Sequence, residues 1–333
     1  MRSPKFWRHS GRLSALLSPA SAVWRRCTAA HIRRTSPEKV AVPVICVGNA
    51  VAGGAGKTPV AISIADALLQ LGKKPHFLTR GYGGKTIAPT RVEPALHSAR
   101  EVGDEPLLLA RYAPTWVARN RVAGAKAAVA AGADIIVMDD GFQNPSLHKD
   151  ICILVVDGGY GFGNRRVMPA GPLREDLGEA IARADAIAII GDDRQGIEQT
   201  LSDQKPTLTA RFVPRMEDDD LSGESVLAFA GIGRPEKFFE TLAGMGCDVV
   251  ATQAFADHHP FTSDEVMQLV ENAAAAGAIL VTTEKDAVRL PDETRDIVRE
   301  LGVTLEWRAP EALDTLLQSA LSYAQDPAHT AKA

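Results

Sequence analysis

Lys57 and Thr58 close the run Gly48-Asn49-Ala50-Val51-Ala52-Gly53-Gly54-Ala55-Gly56-Lys57-Thr58, which follows the apolar stretch 40–47 and opens the helical stretch 59–71. Glycines in such a run let the backbone wind around phosphate oxygens, and the helix that follows offers its N-terminal N–H groups and dipole. Val51, Ala52, Gly53, Gly54, Ala55, Gly56, Lys57 and Thr58 are therefore the expected seat of a nucleoside triphosphate. Lys57 would reach the β- and γ-phosphates, and Thr58 would reach Mg²⁺. The strict spacing fails at Val51, where the first glycine would stand, and a structural turn with a solvated lysine is the plain alternative. The run Ile135-Ile136-Val137-Met138-Asp139-Asp140 reads as an apolar strand ending in two carboxylates, which would hold Mg²⁺ directly or through water. Either acid could be the ligand, and a solvated strand end is the bland reading. Gly103-Asp104-Glu105-Pro106 places two acids at a helix start, where capping alone accounts for them. Taken singly, Asp257-His258-His259 describes a loop with one packed ring, and Arg174-Glu175 a surface ion pair.

These groups need a scaffold. Strand-like runs at 40–47, 76–79, 135–138, 151–156 and 186–190 alternate with helical patterns at 59–71, 105–112, 118–131 and 176–184. Such alternation predicts an α/β fold in which a mostly parallel sheet of the P-loop NTPase type carries helices on both faces, with ligands beyond the carboxyl ends of the strands. The acidic run around 217–224 reads as a linker, after which strands at 225–230, 249–255, 279–282 and 304–307 alternate with further helices. With 333 residues, 45% of them hydrophobic, two packed cores are expected. The boundaries read as 1–36 for a basic N-terminal segment, 37–215 for the kinase-like domain and 216–325 for a smaller α/β domain that closes over the site. A net charge of −4 gives no pointer to nucleic acid, and no protein partner is expected. Cys27, Cys46, Cys152 and Cys247 form no C-x-x-C pair, so they read as free thiols in a reducing compartment.

The first segment differs from the rest. Arg2, Lys5, Arg8, Arg12, Arg25, Arg26, Arg33 and Arg34 all precede the first acid, Glu38, while Leu13, Leu16, Leu17, Ala20 and Trp24 recur at helical spacing. A helix of this kind would lay apolar groups into an anionic membrane surface and set arginines against lipid phosphates. It is too short and interrupted to span a bilayer, and Pro19 would kink or restart it. The apolar stretch before Ala20-Ser21-Ala22 is short for a secretory signal. A transit peptide would share the Arg-rich, acid-poor composition, and a helix packed on the domain with a solvated basic face is the structural alternative.

Further phrases give the combination its specificity: Thr79-Arg80-Gly81-Tyr82-Gly83, Asp139-Asp140-Gly141-Phe142-Gln143, Phe162-Gly163-Asn164, Met168-Pro169-Ala170-Gly171-Pro172-Leu173-Arg174-Glu175, Ala230-Gly231-Ile232 and Thr282-Thr283-Glu284-Lys285-Asp286. With the glycine run and the GDEP and DHH phrases, in this order and spacing, the chain resembles the tetraacyldisaccharide 4′-kinases, the lipid A kinases of Gram-negative bacteria. The resemblance runs over nearly the whole length, and that family too uses a relaxed phosphate loop. It implies transfer of the γ-phosphate of ATP, with Mg²⁺, to the 4′-hydroxyl of an acylated glucosamine disaccharide 1-phosphate, at the cytoplasmic face of the inner membrane, by a peripheral or monotopic protein. It places the base on Asp104, paired with His258, and Lys57 on the phosphates. Arg174 and Glu175 match the family's active-site pair, the glutamate supporting metal or base, and Arg121 matches a family arginine less closely. It assigns no chemistry to Arg80 or the TTEKD phrase. Two rivals share the phosphate loop: a nucleotide-driven ATPase or GTPase switch, and a kinase of a soluble metabolite. For the first, the lysine of Thr283-Glu284-Lys285-Asp286 stands one place too late for a guanine-reading element, and Ala52 stands where partition ATPases carry a second lysine.

Overall fold

A computed structural model describes residues 4–215 and 221–325. Among them the strands are β1 (Val44–Gly48), β2 (Pro75–Thr79), β3 (Thr90–Arg91), β4 (Thr115–Val117), β5 (Ile135–Asp139), β6 (Ile151–Asp157), β7 (Ala186–Ile190), β8 (Thr207–Pro214), β9 (Ser225–Ala230), β10 (Asp248–Ala254), β11 (Ile279–Thr283), β12 (Arg299–Leu301) and β13 (Val303–Trp307). The large sheet runs β13-β8-β7-β6-β1-β5-β2-β4-β3 and the small one β10-β9-β11-β12. From β8 to β4 the large sheet is parallel, with β13 and β3 antiparallel at its edges.

Strands β1, β5 and β7 are buried along their whole length, as a sheet covered on both faces requires. On one face Val60, Ile64 and Leu68 of the helix Lys57–Gln70 meet Ile45, Val47 and Val137. On the other, Ala125 and Ala128 of the helix Arg121–Ala130 and Ala180 of the helix Leu177–Arg183 meet Cys46, Met138 and Leu154. The small alanines let these helices lie close to the sheet.

The expected boundaries shift at the C-terminal end. Strand β13 pairs antiparallel with β8, Val303 opposite Pro214, and Leu313, Leu317 and Ala320 of the helix Pro310–Gln325 complete the first face of the large core. Trp307 Nε1 adds a 2.8 Å hydrogen bond to Ser63 Oγ. Residues 303–325 thus belong to the large lobe and not to the smaller domain, whose sheet ends at Leu301. Strand β1 starts four residues later than read, because the chain reaches the sheet only after Pro43. Strands β3, β8 and β12 were absent from the sequence reading. Of the acidic linker, residues 217–220 lie outside the described residues, as does Arg2.

The helix Arg12–Arg34 passes unbroken through Pro19. Its buried positions are Ser14, Ser21 and Ala29, while Leu13, Leu16 and Val23 face outward, Leu16 at 76% and Val23 at 62% exposure, and Trp24 is half exposed. Polar contacts hold it to the large lobe: Ser21 Oγ accepts from Ala170 N at 3.0 Å, Asn164 Nδ2 donates to Ser14 Oγ at 3.2 Å, and Trp24 Nε1 donates to the Arg174 carbonyl at 3.1 Å. Among the described residues no helix is long and apolar enough to cross a membrane.

Candidate active site

At the end of β1 the chain turns through the glycine run into the helix beginning at Lys57. Gly56, at φ +89°, adopts the left-handed conformation that this entry requires and that glycine takes without strain. Val51, the departure from the strict motif, is buried and bridges to Leu173. With Ala52 N donating to Pro172 O and Arg174 N to Ala50 O, both at 2.8 Å, the first half of the loop is strapped to residues 172–174. A side chain at 51 therefore packs where a glycine would leave a gap, and the strap delivers Arg174 to the site.

Strand β5 lies beside β1, with Val47 opposite Asp139, so its terminal acids face the loop. Thr58 Oγ1 donates to Asp139 Oδ2 at 2.9 Å. The other oxygen of Asp139 is buried with no hydrogen-bond partner. Burial, reinforced by the charge of Glu105 and opposed by Lys57, pushes this carboxyl up to about 7. Asp140 turns away at φ +51°, and its Oδ1 lies 2.9 Å from Arg174 and 3.7 Å from Lys57 Nζ. Burial opposes its ionisation, but Lys57 and Arg174 outweigh it and hold the group below the usual carboxylate range. Two adjacent acids are thus split: Asp140 is an anion clamped by cations, and Asp139 keeps one buried oxygen without a hydrogen-bond partner.

Glu175 is buried, and both its oxygens are engaged, one accepting from Gln143 Nε2 at 2.9 Å and the other from Arg183. Gln143 also donates to the Asn49 carbonyl at 2.9 Å and accepts from Arg174 at 3.3 Å, so Glu175 braces the loop and the Arg174 head together. Arg121 is buried with its guanidinium on the Ala118 carbonyl. Burial and the neighbouring Arg80 lower it to about 10, and Asp140 and Asp139 counter that fall. It therefore stands close behind the acid pair.

Asp104 begins the short helix Asp104–Leu109, and its partners come from the small lobe. Asp104 Oδ2 accepts from His258 Nδ1 at 2.7 Å, and Lys285 Nζ donates to Glu105 at 3.1 Å. Against the opposing effect of burial, the His258 hydrogen bond and the charge of Lys285 hold Asp104 down to about 2. His258 sits at φ +59°, a backbone conformation that costs a non-glycine residue about 1–3 kcal/mol and persists where the surroundings enforce it. His259, whose role the sequence left open, turns the other way: it stacks on Phe255 and its Nε2 lies 3.1 Å from Glu265. A cleft of about 940 Å³ between the lobes is walled by Tyr82, Leu96, Asp104, His258 and Arg289, and residues 51–58 do not line it.

Two phrases without an assigned role acquire one. Thr283 caps the helix Glu284–Ala287, Glu284 accepts from Tyr112 at 2.6 Å and Arg215 at 3.1 Å, and Asp286 accepts from Gly231 N at 3.0 Å. The TTEKD phrase is thus the face by which the small lobe grips the GDEP helix. Gly81, at φ +69°, leaves no room for a methyl group, which would stand 2.7 Å from the Val102 carbonyl and 2.5 Å from Val117. Gly81→Ala combines that clash with a strained φ and is expected to lower stability by about 2 kcal/mol or more. An unchanged urea midpoint for this variant would show that the 80–84 turn is not packed on the GDEP loop. The signal for these contacts, a Thr-x-x-Asp cap and glycine pairs, was present in the sequence, but their partners were not.

A profile of the family described as tetraacyldisaccharide-1-P 4′-kinase matches residues 13–322. The chain is 52% identical over 332 residues to the tetraacyldisaccharide 4′-kinase of Rhodospirillum centenum, covering 98% of each chain. It is 52% identical over 317 residues to that of Paramagnetospirillum magneticum, covering 95% of this chain and 98% of the relative. Among solved structures it resembles the "apo" form of LpxK from Aquifex aeolicus in complex with ATP, at 28% identity and a TM-score of 0.73 over 92% of this chain and 99% of the other.

Proposed function

Since the chain belongs to the tetraacyldisaccharide-1-P 4′-kinase family, we propose that its residues divide one phosphoryl transfer between two lobes. The protein is an ATP-dependent kinase of lipid A biosynthesis, which moves the γ-phosphate of ATP to the 4′-hydroxyl of tetraacyldisaccharide 1-phosphate. The switch and soluble-metabolite readings fall with that membership. Residues 51–58 hold the triphosphate, with Lys57 and Arg174 on its charge. Mg²⁺ suits the partnerless buried oxygen of Asp139, with Thr58 and Asp140 beside it, and when bound it supplies neutralisation of phosphate charge. Glu175, its oxygens already occupied, acts through Gln143 and Arg183 rather than as a direct ligand.

The sugar hydroxyl is a poor nucleophile and must lose its proton as the new bond forms. Asp104 supplies the acceptor, and the His258 imidazole orients the carboxylate and shares its proton. The observation that carries this reading is the 2.7 Å contact of Asp104 with His258 across the lobes, in a molecule whose Lys57 and Thr58 meet the two acids of β5. Measuring γ-phosphate transfer from ATP to the acylated disaccharide, against nucleotide hydrolysis without acceptor, tests it. Hydrolysis undiminished in favour of transfer would sink it.

The outward apolar face of the helix Arg12–Arg34 supports peripheral attachment to an anionic membrane, at the cytoplasmic face of the inner membrane where ATP is available. The lipid's acyl chains then stay in the bilayer while its sugar reaches the cleft. Leu16 and Val23 point away from the lobe, so the double change Leu16→Glu, Val23→Glu should leave the melting temperature unchanged and release the protein from anionic vesicles. Turnover should fall more on vesicle-embedded than on detergent-dispersed substrate. Undiminished sedimentation with vesicles would place the membrane contact elsewhere.

A further inference from the structure

Arg289 lies outside the phrases singled out in the sequence, yet it is held in place from several sides. It is only 5% exposed at its side chain, its Nη2 donates to the Gly231 carbonyl at 3.0 Å and to Asp286, its Nη1 to the His259 carbonyl at 3.3 Å, and its Nε to the Lys285 carbonyl at 3.3 Å. Three carbonyls and a carboxylate thus fix a planar fork that a lysine could not reproduce in full. With its Nε–H committed to the Lys285 carbonyl, the guanidinium stands with Nε 3.7 Å from Asp104 Oδ2 as a charge contact, on the same oxygen that takes the His258 hydrogen bond. The remaining oxygen of Asp104 accepts the N–H of Glu105 at 3.0 Å.

We propose that Arg289 is a positioning residue for the reaction: through its contact with Asp104 it sets the orientation and charge of the Asp104–His258 pair, and it does so only while the small lobe is seated. The inference rests on the reading of that pair as the proton acceptor. The charged groups around Asp104 are His258 and Asp257 from the loop after β10, Lys285, Asp286 and Arg289 from the segment after β11, and Glu105 on its own helix. Asp286 neutralises part of the guanidinium but is itself anchored to Gly231 N, so its chief effect is to hold Arg289 in place. His258 and Arg289 approach one carboxylate oxygen from one rigid neighbourhood, since the carbonyls of Gly231 and His259 that hold Arg289 flank the His258 loop. A cation at this distance favours the deprotonated form of the pair, and its removal raises the pH at which the pair takes up a proton.

Steady-state kinetics of Arg289→Gln, Arg289→Met and Arg289→Lys with ATP and the acylated disaccharide test this. The two neutral variants should lose on the order of 10- to 100-fold in kcat through misplacement of the pair, with the KM for ATP little changed. Their acid limb of kcat should move to higher pH, and Arg289→Lys should recover most of the rate and return the limb. A neutral variant with the wild-type limb overturns the inference, as does a lysine variant no better than the neutral ones. Gln keeps a polar head and Met keeps the stem beside Phe261, so misfolding of one leaves the other to decide; misfolding of both would make Arg289 purely structural and overturn the inference. Asp104→Asn and His258→Gln run alongside. If these retain turnover, the reading of the pair itself fails; if they lose it while Arg289→Gln is unaffected, only the role of Arg289 falls.

Discussion

Lys57→Ala is expected to lower kcat by about 10²- to 10³-fold, because the charge it meets spreads over the γ-phosphoryl oxygens mainly in the transition state. The ammonium is poised for this: it lies 3.7 Å from Asp140, close enough to be held and too far for a tight pair, so it can turn to a phosphate without breaking a strong contact. Its loss also removes the main cation that restrains Asp139, which then resists ionisation further. Arg174 remains on Asp140, so the fold of the loop should survive and the melting temperature should change little. Turnover near the wild-type value in the acceptor assay would show that residues 51–58 do not seat the triphosphate.

Asp104→Asn and His258→Gln should each cost about 10²- to 10⁴-fold in kcat, the range of positioned acid–base groups. The two side chains share one hydrogen bond, so once either is gone the other has little left to contribute. The double variant should therefore fall little below the worse single one, with the KM for ATP nearly constant. Strictly multiplicative losses would mean that the two act separately and that the 2.7 Å contact is not a working pair.

The sequence revealed the residues proposed to hold the nucleotide more completely than those proposed to act on the acceptor, for a physical reason. Residues 44–58 and 135–140 act through their neighbours in the chain: an apolar strand must precede the glycines and the acids, and that pattern is visible locally. Asp104 and His258 were paired only through resemblance, since nothing in either loop encodes a partner so far along the chain. Arg289 was invisible, because its meaning arises only when β9 and β11 bring Gly231 and Asp286 together beside it. Among the elements, β8 went unread, and β13, read as a strand at 304–307, was assigned to the wrong lobe, for a similar reason. Their residues 207–214 and 303–307 are only partly buried at the sheet's margin, and half-polar runs at an edge look alike whichever sheet they join.

The return of β13 to the large sheet has a mechanical consequence. The small lobe is entered after Pro214 and left before Val303, and these two residues face each other as register partners in adjacent strands, about 4.8 Å apart in the hydrogen-bonding direction. Two attachments so close together would act as a pintle, permitting rotation about a single axis and resisting sliding across the sheet. Polar contacts bridge the lobes, Arg111 with Glu300, Lys285 with Glu105, and Arg234 and Lys237 with Asp157, and an apolar contact joins them, Val288 against the cluster of Val102 and Leu107. Polar groups of this kind regain water when they part, so rotation about such an axis would expose little apolar surface beyond that of Val288.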